Sequence, residues 1–258
     1  MRRALIIAKY KEDIAWPSQV SDYEVVVYSK QVDEPDTTLL TLPNIGRESH
    51  TYLHYIVSNY GDLPDLCVFA QANPFDHCPD FLTTIANLRS PLGYLALSQL
   101  EALYDSYGYP QLGASPLSID KLYFGEFFEK ILGQKAPMLF YARMNGLFAV
   151  DRETILKRPL AFYQRCLDSL QDITIQSEER WTDLNSVETH FFERLWYFIF
   201  TPDWDRPDET SNVHGMPMER VKLVLPLLEK WPAEVQKNGP LQASRILLAA
   251  SEILNKTV

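Results

Sequence analysis

LPNIGRESHTYLHYIVSNYGDLPDLCVFAQANPFDHCPDF, residues 42–81, packs a turn, a helix, a buried strand and a polar elbow into one short stretch. Leu42-Pro43-Asn44 ends an extended run, Gly46 permits a sharp bend, and Asn44 is the expected N-cap of the helix that follows. Leu53, Ile56, Val57 and Tyr60 recur at helical spacing, so one face is buried. Gly61 stands where a left-handed C-cap residue is expected. The apolar run Leu66-Cys67-Val68-Phe69-Ala70 has the length and composition of a strand buried on both faces. It breaks off into Gln71-Ala72-Asn73-Pro74-Phe75-Asp76-His77. Polar groups just past the end of a buried strand are where open α/β sheets place their ligands.

Upstream, residues 3–8 read as a first buried strand that opens into the charged loop Lys9 to Pro17, closed by Trp16. Residues 24–28 are a β-branched second strand and 37–42 a third. Strand, strand, helix, strand is the pattern of an α/β sheet. Pro79-Asp80 opens another helix with Leu82, Ile85 and Leu88 inward, and 93–97 is a weaker strand. Residues 100–133 are rich in Tyr and Phe, read mainly as core mass, with a helix capped by Asp120 and ending at Gly133. Residues 138–142 and 146–150 form a strand pair, or one strand broken at Asn145-Gly146. Asp151 caps a helix interrupted near Pro159 and resumed through Leu170. A helix from Ser186 puts Val187, Phe191, Leu195 and Phe198 on one face and Glu193, Thr189 and Tyr197 on another. Residues 201–217 are loop-like, and helical segments are expected at 218–230 and 241–256. The expected organisation is an α/β domain over 1–205 with a loop and helical C-terminal extension over 206–258 packed on it.

A net charge of −10 argues against a general nucleic-acid binder but leaves room for a local cationic pocket. Three cysteines without a CxxC point to a reducing compartment and away from structural zinc. The apolar run after Arg2-Arg3 stops after five residues, too short for a signal h-region. No run approaches the roughly twenty apolar residues of a membrane span, so a cytoplasmic protein is expected.

The candidate chemistry lies in loops and turns. Lys9, Glu12 and Asp13 follow the first strand, where nucleotide-binding α/β domains touch base or ribose; solvated loop residues are the plainer reading. There is no GxGxxG, no GxxxxGK[ST], no GxSxG and no HExxH. Arg47 and Glu48 open the long helix. Arg47 there opposes the helix dipole unless an anion or a carboxylate offsets it, whereas Glu48 complements that dipole. Gln71, Asn73, Asp76 and His77 form the elbow; as a plain turn, Asp76 would cap the next helix. Asp76-His77 alone do not define a metal site. Arg143, beside the Asn145-Gly146 turn, is a phosphate candidate or half of a surface salt bridge. Glu193 sits among aromatics that would raise its pKa toward that of a general base, or it pairs with Arg194 or another cation.

The segments LPNIGRESHTYLHYI, NYGDLPDLCVFAQANPFDH, GLFAVDRETILKRPLAFY and ERLW resemble an uncharacterised family, domain of unknown function 3431, over roughly residues 5–200. More distantly, the layout is similar to glycosyltransferases of the GT-A type, with a Rossmann-like mixed sheet flanked by helices. That resemblance implies a hexosyltransferase-like enzyme that binds a nucleotide-diphosphate sugar and moves the sugar to a glycan or small hydroxyl acceptor. Lys9, Glu12 and Asp13 would then line the nucleotide pocket, Arg47 and Arg143 would clamp the diphosphate, and Glu193 would be the base. Gln71-Ala72-Asn73 stands where those enzymes carry Asp-x-Asp, so a manganese or magnesium ion is disfavoured and no cofactor is firmly expected. The alternative is a non-catalytic carbohydrate- or nucleotide-binding protein on the same scaffold. A glycoside hydrolase would need a carboxylate pair across a cleft, for example Glu193 with Glu188 or Asp76.

Overall fold

The computed structural model describes residues 1–31, 36, 38–98, 101–106, 108, 110–112, 123–137, 139–143, 146–171, 187–202, 227 and 230–238. Strands Arg3–Lys9 (β1), Glu24–Ser29 (β2), Leu40–Thr41 (β3), Leu66–Gln71 (β4), Tyr94–Ala96 (β5) and Phe148–Asp151 (β9) form one six-stranded mixed sheet in the order β3-β2-β1-β4-β9-β5. β1 to β4 pair in parallel, and β9 runs antiparallel to both β4 and β5. Strands Glu101–Asp105 (β6), Pro110–Leu112 (β7) and Leu139–Arg143 (β8) make a separate antiparallel sheet, ordered β7-β6-β8. The helices are Arg47–Asn59 (α1), Phe81–Asn87 (α2), Phe124–Leu132 (α3), Arg152–Leu156 (α4), Leu160–Gln171 (α5), Val187–Phe200 (α6) and Trp231–Asn238 (α7).

Period-two alternation divides the apolar strands between two cores. Ala4 and Ile6 of β1, Cys67 and Phe69 of β4, and Phe148 and Val150 of β9 face α1, α5 and α6. Leu5, Ile7, Leu66, Val68, Ala70 and Ala149 face the other way, onto Trp16, Tyr23, Phe81 and Ile85. Phe69, Phe148, Tyr52, Trp196 and Phe200 pack ring against ring through the first core. Most of the aromatic mass of 100–133 lies there too: Tyr104, Phe124, Phe127 and Phe128 are buried.

Several local expectations are corrected. Asn44 does not cap α1; the N-cap is Gly46 at φ 62°, and Arg47 follows at φ 46°, so the bend uses two left-handed residues in succession. Gly61 is not a left-handed cap, because α1 runs on into a 3-10 turn, Tyr60–Asp62. The third strand is two residues long, not six. Residues 138–142 and 146–150 are neither a pair nor one broken strand, since β8 and β9 belong to different sheets. Asp76 does not cap α2; it ends a 3-10 turn, Pro74–Asp76, and accepts from Asn73 Nδ2 at 2.8 Å. α6 is buried nearly all round, because Phe192, Trp196 and Ile199 are as buried as the expected inner face. The expected break near Pro159 does separate α4 from α5, and the Asp151 carboxylate accepts from Thr154 N–H at 2.9 Å. Gly133 ends α3 at φ 75°. The expectations for Asp120, Ser186, 241–256 and most of 203–230 lie outside the described residues, and α7 occupies a stretch where no helix was expected.

Candidate functional site

From β1 the chain adds β2 on one side, runs to β3 at the edge, and returns through α1 to β4 on the other side of β1. The order therefore reverses between β1 and β4. In an open α/β sheet a crevice forms outside the strand ends at such a point. A cleft of about 510 Å³ lies there, within the range of small-ligand sites. Its lining includes Lys9 and Tyr10 after β1, Lys30 after β2, and Gln71, Asn73, Asp76 and His77 after β4. Glu12 and Asn44 add loop groups, and Arg47 and Glu48 come from the first turn of α1.

Local folding fixes each of these groups. The Glu12 carboxylate accepts from Tyr10 N–H at 2.7 Å and folds the first loop back on itself. Trp16 Nε1 donates to Ala72 O at 2.8 Å, tying that loop to the elbow after β4. The Trp16 ring stands edge-on to Phe75 and Phe81, so it plugs the core on that face of the sheet. Lys30 N–H donates to Lys9 O at 2.8 Å, which holds the ends of β1 and β2 together. Its Nζ lies 2.6 Å from Ile45 O, 3.3 Å from Pro43 O and 3.3 Å from His50 Nδ1. Three acceptors match the three N–H groups of an ammonium. Burial nevertheless pulls the Lys30 pKa down to about 7, against the attraction of Glu48. Burial and the Lys30 charge push His50 down to about 3, so its ring is neutral and can accept from Lys30.

Glu48 is the most unusual group in the cleft. It is 8% exposed, and among the described residues its Oε1 has no hydrogen-bond partner. Burial and then the Glu193 charge raise its pKa to about 7, while Arg47 and a hydrogen bond from Gln71 pull the other way. Glu48 does stand in the first turn of α1, where it complements the helix dipole, but it does so as a buried carboxylate. The turn at Gly146 lies beside it: a Cβ at Gly146, whose φ is 50°, would lie 3.2 Å from Glu48 Cγ and 3.5 Å from Tyr52 Cε2. Tyr52 OH and His77 Nδ1 are likewise buried without a partner among the described residues.

Eight of the candidate residues thus line one cleft: Lys9, Glu12, Arg47, Glu48, Gln71, Asn73, Asp76 and His77. Three do not. Asp13 is exposed on the first loop. Arg143 ends β8 in the small sheet, where Nη1 donates to Ser98 O at 3.1 Å. Glu193 stands behind the cleft on α6, its Oε1 3.5 Å from His190 Nδ1, and its charge acts on Glu48 and Tyr52. The neighbouring Arg194 donates to His190 O and lies 4.4 Å over the Tyr104 ring. Glu188, the other hydrolase candidate, accepts from Tyr123 OH. Lys30, Asn44 and Tyr10 are lining residues that the sequence reading passed over. The rule that flagged Lys9 and Gln71, polar groups just beyond a buried strand, applies equally to Lys30 after β2.

Among the described residues no three His, Cys, Asp or Glu side chains are grouped as metal ligands, and no helix is long and apolar enough to cross a membrane. No curated protein and no solved structure matches the chain. A family model does match, over residues 5–214: Protein of unknown function (DUF3431). The chain belongs to that family.

Proposed function

We propose that this member of DUF3431 is a glycosyltransferase-like enzyme of GT-A-type architecture, which binds a nucleotide-diphosphate sugar in the cleft between β1 and β4. The observation that carries the reading is the mixed lining at the point of strand-order reversal. Lys9, Lys30 and Arg47 share one cleft with Glu12, Glu48 and Asp76, in a protein of net charge −10. Cations suit the phosphates, and carboxylates and amides suit sugar and ribose hydroxyls. The N-terminal N–H groups of α1 point the same electrostatic way as Arg47.

In the proposed reaction the bond between the sugar anomeric carbon and the diphosphate oxygen breaks, and its electron pair leaves with the diphosphate. A bond from the acceptor oxygen to the anomeric carbon forms, and the acceptor proton passes to a carboxylate. Arg47 and Lys9 offset the charge that grows on the leaving group, so catalysis is positioning plus fixed electrostatics. The role expected of Arg143 as a second clamp is dropped, because its guanidinium is engaged at Ser98 in the small sheet.

The test is thermal unfolding with nucleotides and nucleotide-diphosphate sugars, with and without manganese. A ligand at one hundred times its Kd stabilises the fold by about 2.7 kcal/mol. For a domain of this size that raises Tm by roughly 5–10 °C. The expected result is such a shift with a nucleotide-diphosphate sugar, lost in Arg47→Ala. No shift with any nucleotide sinks the reading, and a shift without release of nucleoside diphosphate leaves a binding protein.

A further inference from the structure

We infer that Glu48 is the proton-accepting residue of the cleft, the group against which a ligand hydroxyl docks, with Glu193 as the positioning residue behind it. The inference deepens the reading of the cleft as a site for a hydroxyl-bearing ligand and rests on it. It replaces Glu193 as the expected base, since Glu193 is outside the cleft lining while Glu48 is part of it.

Four observations converge. Glu48 is a cleft-lining residue on the rigid first turn of α1, a helix of 13 residues. It is more than nine-tenths buried, yet Oε1 has no partner among the described residues. A buried carboxylate oxygen without a hydrogen bond is costly in the charged form, so the side chain gains by holding a proton when it accepts one. Gly146 lies beside the carboxylate: a side chain there would place its Cβ 3.2 Å from Glu48 Cγ and 3.4 Å from Oε1, so the glycine leaves the room that the glutamate occupies. Finally, Glu193 on α6 faces it electrostatically from behind, and two carboxylates so placed resist ionising together.

Among the described residues, the groups that act on Glu48 pull in two directions. Arg47 on the same helix, Lys30 from β2 and Gln71 at the end of β4 favour the Glu48 carboxylate; Glu193 from α6 and burial favour the acid. Tyr52, one turn along α1, is held un-ionised by burial and by both glutamates. The balance leaves a group able to change protonation near neutrality, which is what a general base requires. With a nucleotide-diphosphate sugar as donor, the acceptor O–H proton passes to Glu48 as the oxygen bonds to the anomeric carbon and the diphosphate departs. Glu193 touches no substrate.

The experiment is a carboxyl-carbon NMR titration of the full chain labelled at glutamate, on wild type, Glu48→Gln and Glu193→Gln. One signal titrating near neutrality in wild type, missing from Glu48→Gln and moved to lower pH in Glu193→Gln, supports the assignment. If every glutamate titrates in the ordinary range, or the near-neutral signal survives in Glu48→Gln, it is overturned. In the transfer assay, general-base loss lowers kcat of Glu48→Gln by roughly 100- to 10,000-fold. An unchanged kcat also overturns the inference. If wild type fails to bind any nucleotide-diphosphate sugar while the titration behaves as described, the donor is wrong and the assignment of Glu48 stands.

Discussion

Replacing Glu48 by glutamine should make the fold more stable at pH 8 and leave it little changed at pH 5. The folded protein raises the Glu48 pKa from 4.5 to about 7, first by burial and then through Glu193. A folded pKa above the unfolded one means that the native state binds the extra proton between those two values. The stability this proton supplies is complete below pH 4.5, falls as pH rises, and is gone above about pH 7. A shift of that size is worth about 3 kcal/mol, at 1.36 kcal/mol for each pH unit. Glutamine fits the same space, hydrogen-bonds to Gln71 with either end of its amide, and carries no charge for Glu193 to repel. The attraction of Arg47 already enters that net value, so about 3 kcal/mol is the whole expected gain. For a domain of this size each kcal/mol moves Tm by roughly 2–4 °C. The assay is Tm from pH 4.5 to 8.5 for both proteins at one ionic strength. The Tm difference should open as pH rises from 5 to 7, reach several degrees and then level off. A constant difference, or a wild type more stable than the variant at pH 8, would falsify the picture of a destabilised carboxylate held against a second one.

Four further outcomes follow from the same geometry. Arg47 occupies a left-handed conformation at φ 46°, so Arg47→Gly should raise stability by roughly 1 kcal/mol in denaturant unfolding while abolishing the ligand-induced Tm shift. Gly146→Ala, strained at φ 50° and pressed on Glu48, should cost about 1–2 kcal/mol and move the near-neutral carboxyl signal. The Asp151 carboxylate accepts from Leu92 N–H at 3.0 Å, Gly93 N–H at 2.8 Å and Thr154 N–H at 2.9 Å; burial raises its pKa, these bonds outweigh that, and the net direction is down. Asp151→Ala should therefore cost roughly 1–3 kcal/mol at pH 7, with the deficit shrinking as pH falls through the ordinary carboxylate range. Phe148, fully buried among Tyr52, Phe69, Tyr94, Trp196 and Phe200, should cost about 3–5 kcal/mol as Phe148→Ala by urea unfolding.

The sequence by itself determined the elements whose cause is local. The apolar runs of β1 and β4, the helical spacing within 47–59, the Asp151 cap and the Pro159 break are all set by neighbouring residues, and each is present in the structure. So is the polar elbow after β4, because a buried strand has to end where its side chains turn polar. Tertiary structure alone decided which of these ends meet. Lys9, Lys30 and Gln71 converge because β1 lies between β2 and β4, a pairing order that no single segment encodes. β8 and β9 read as one hairpin locally, yet join different sheets, since strand partners are chosen by burial across the fold. Glu48 looked like an ordinary residue for a helix start and Glu193 like the carboxylate with special surroundings. Only packing showed Glu48 to be the one enclosed in the cleft, because pKa depends on solvent exclusion and on charges brought from distant parts of the chain.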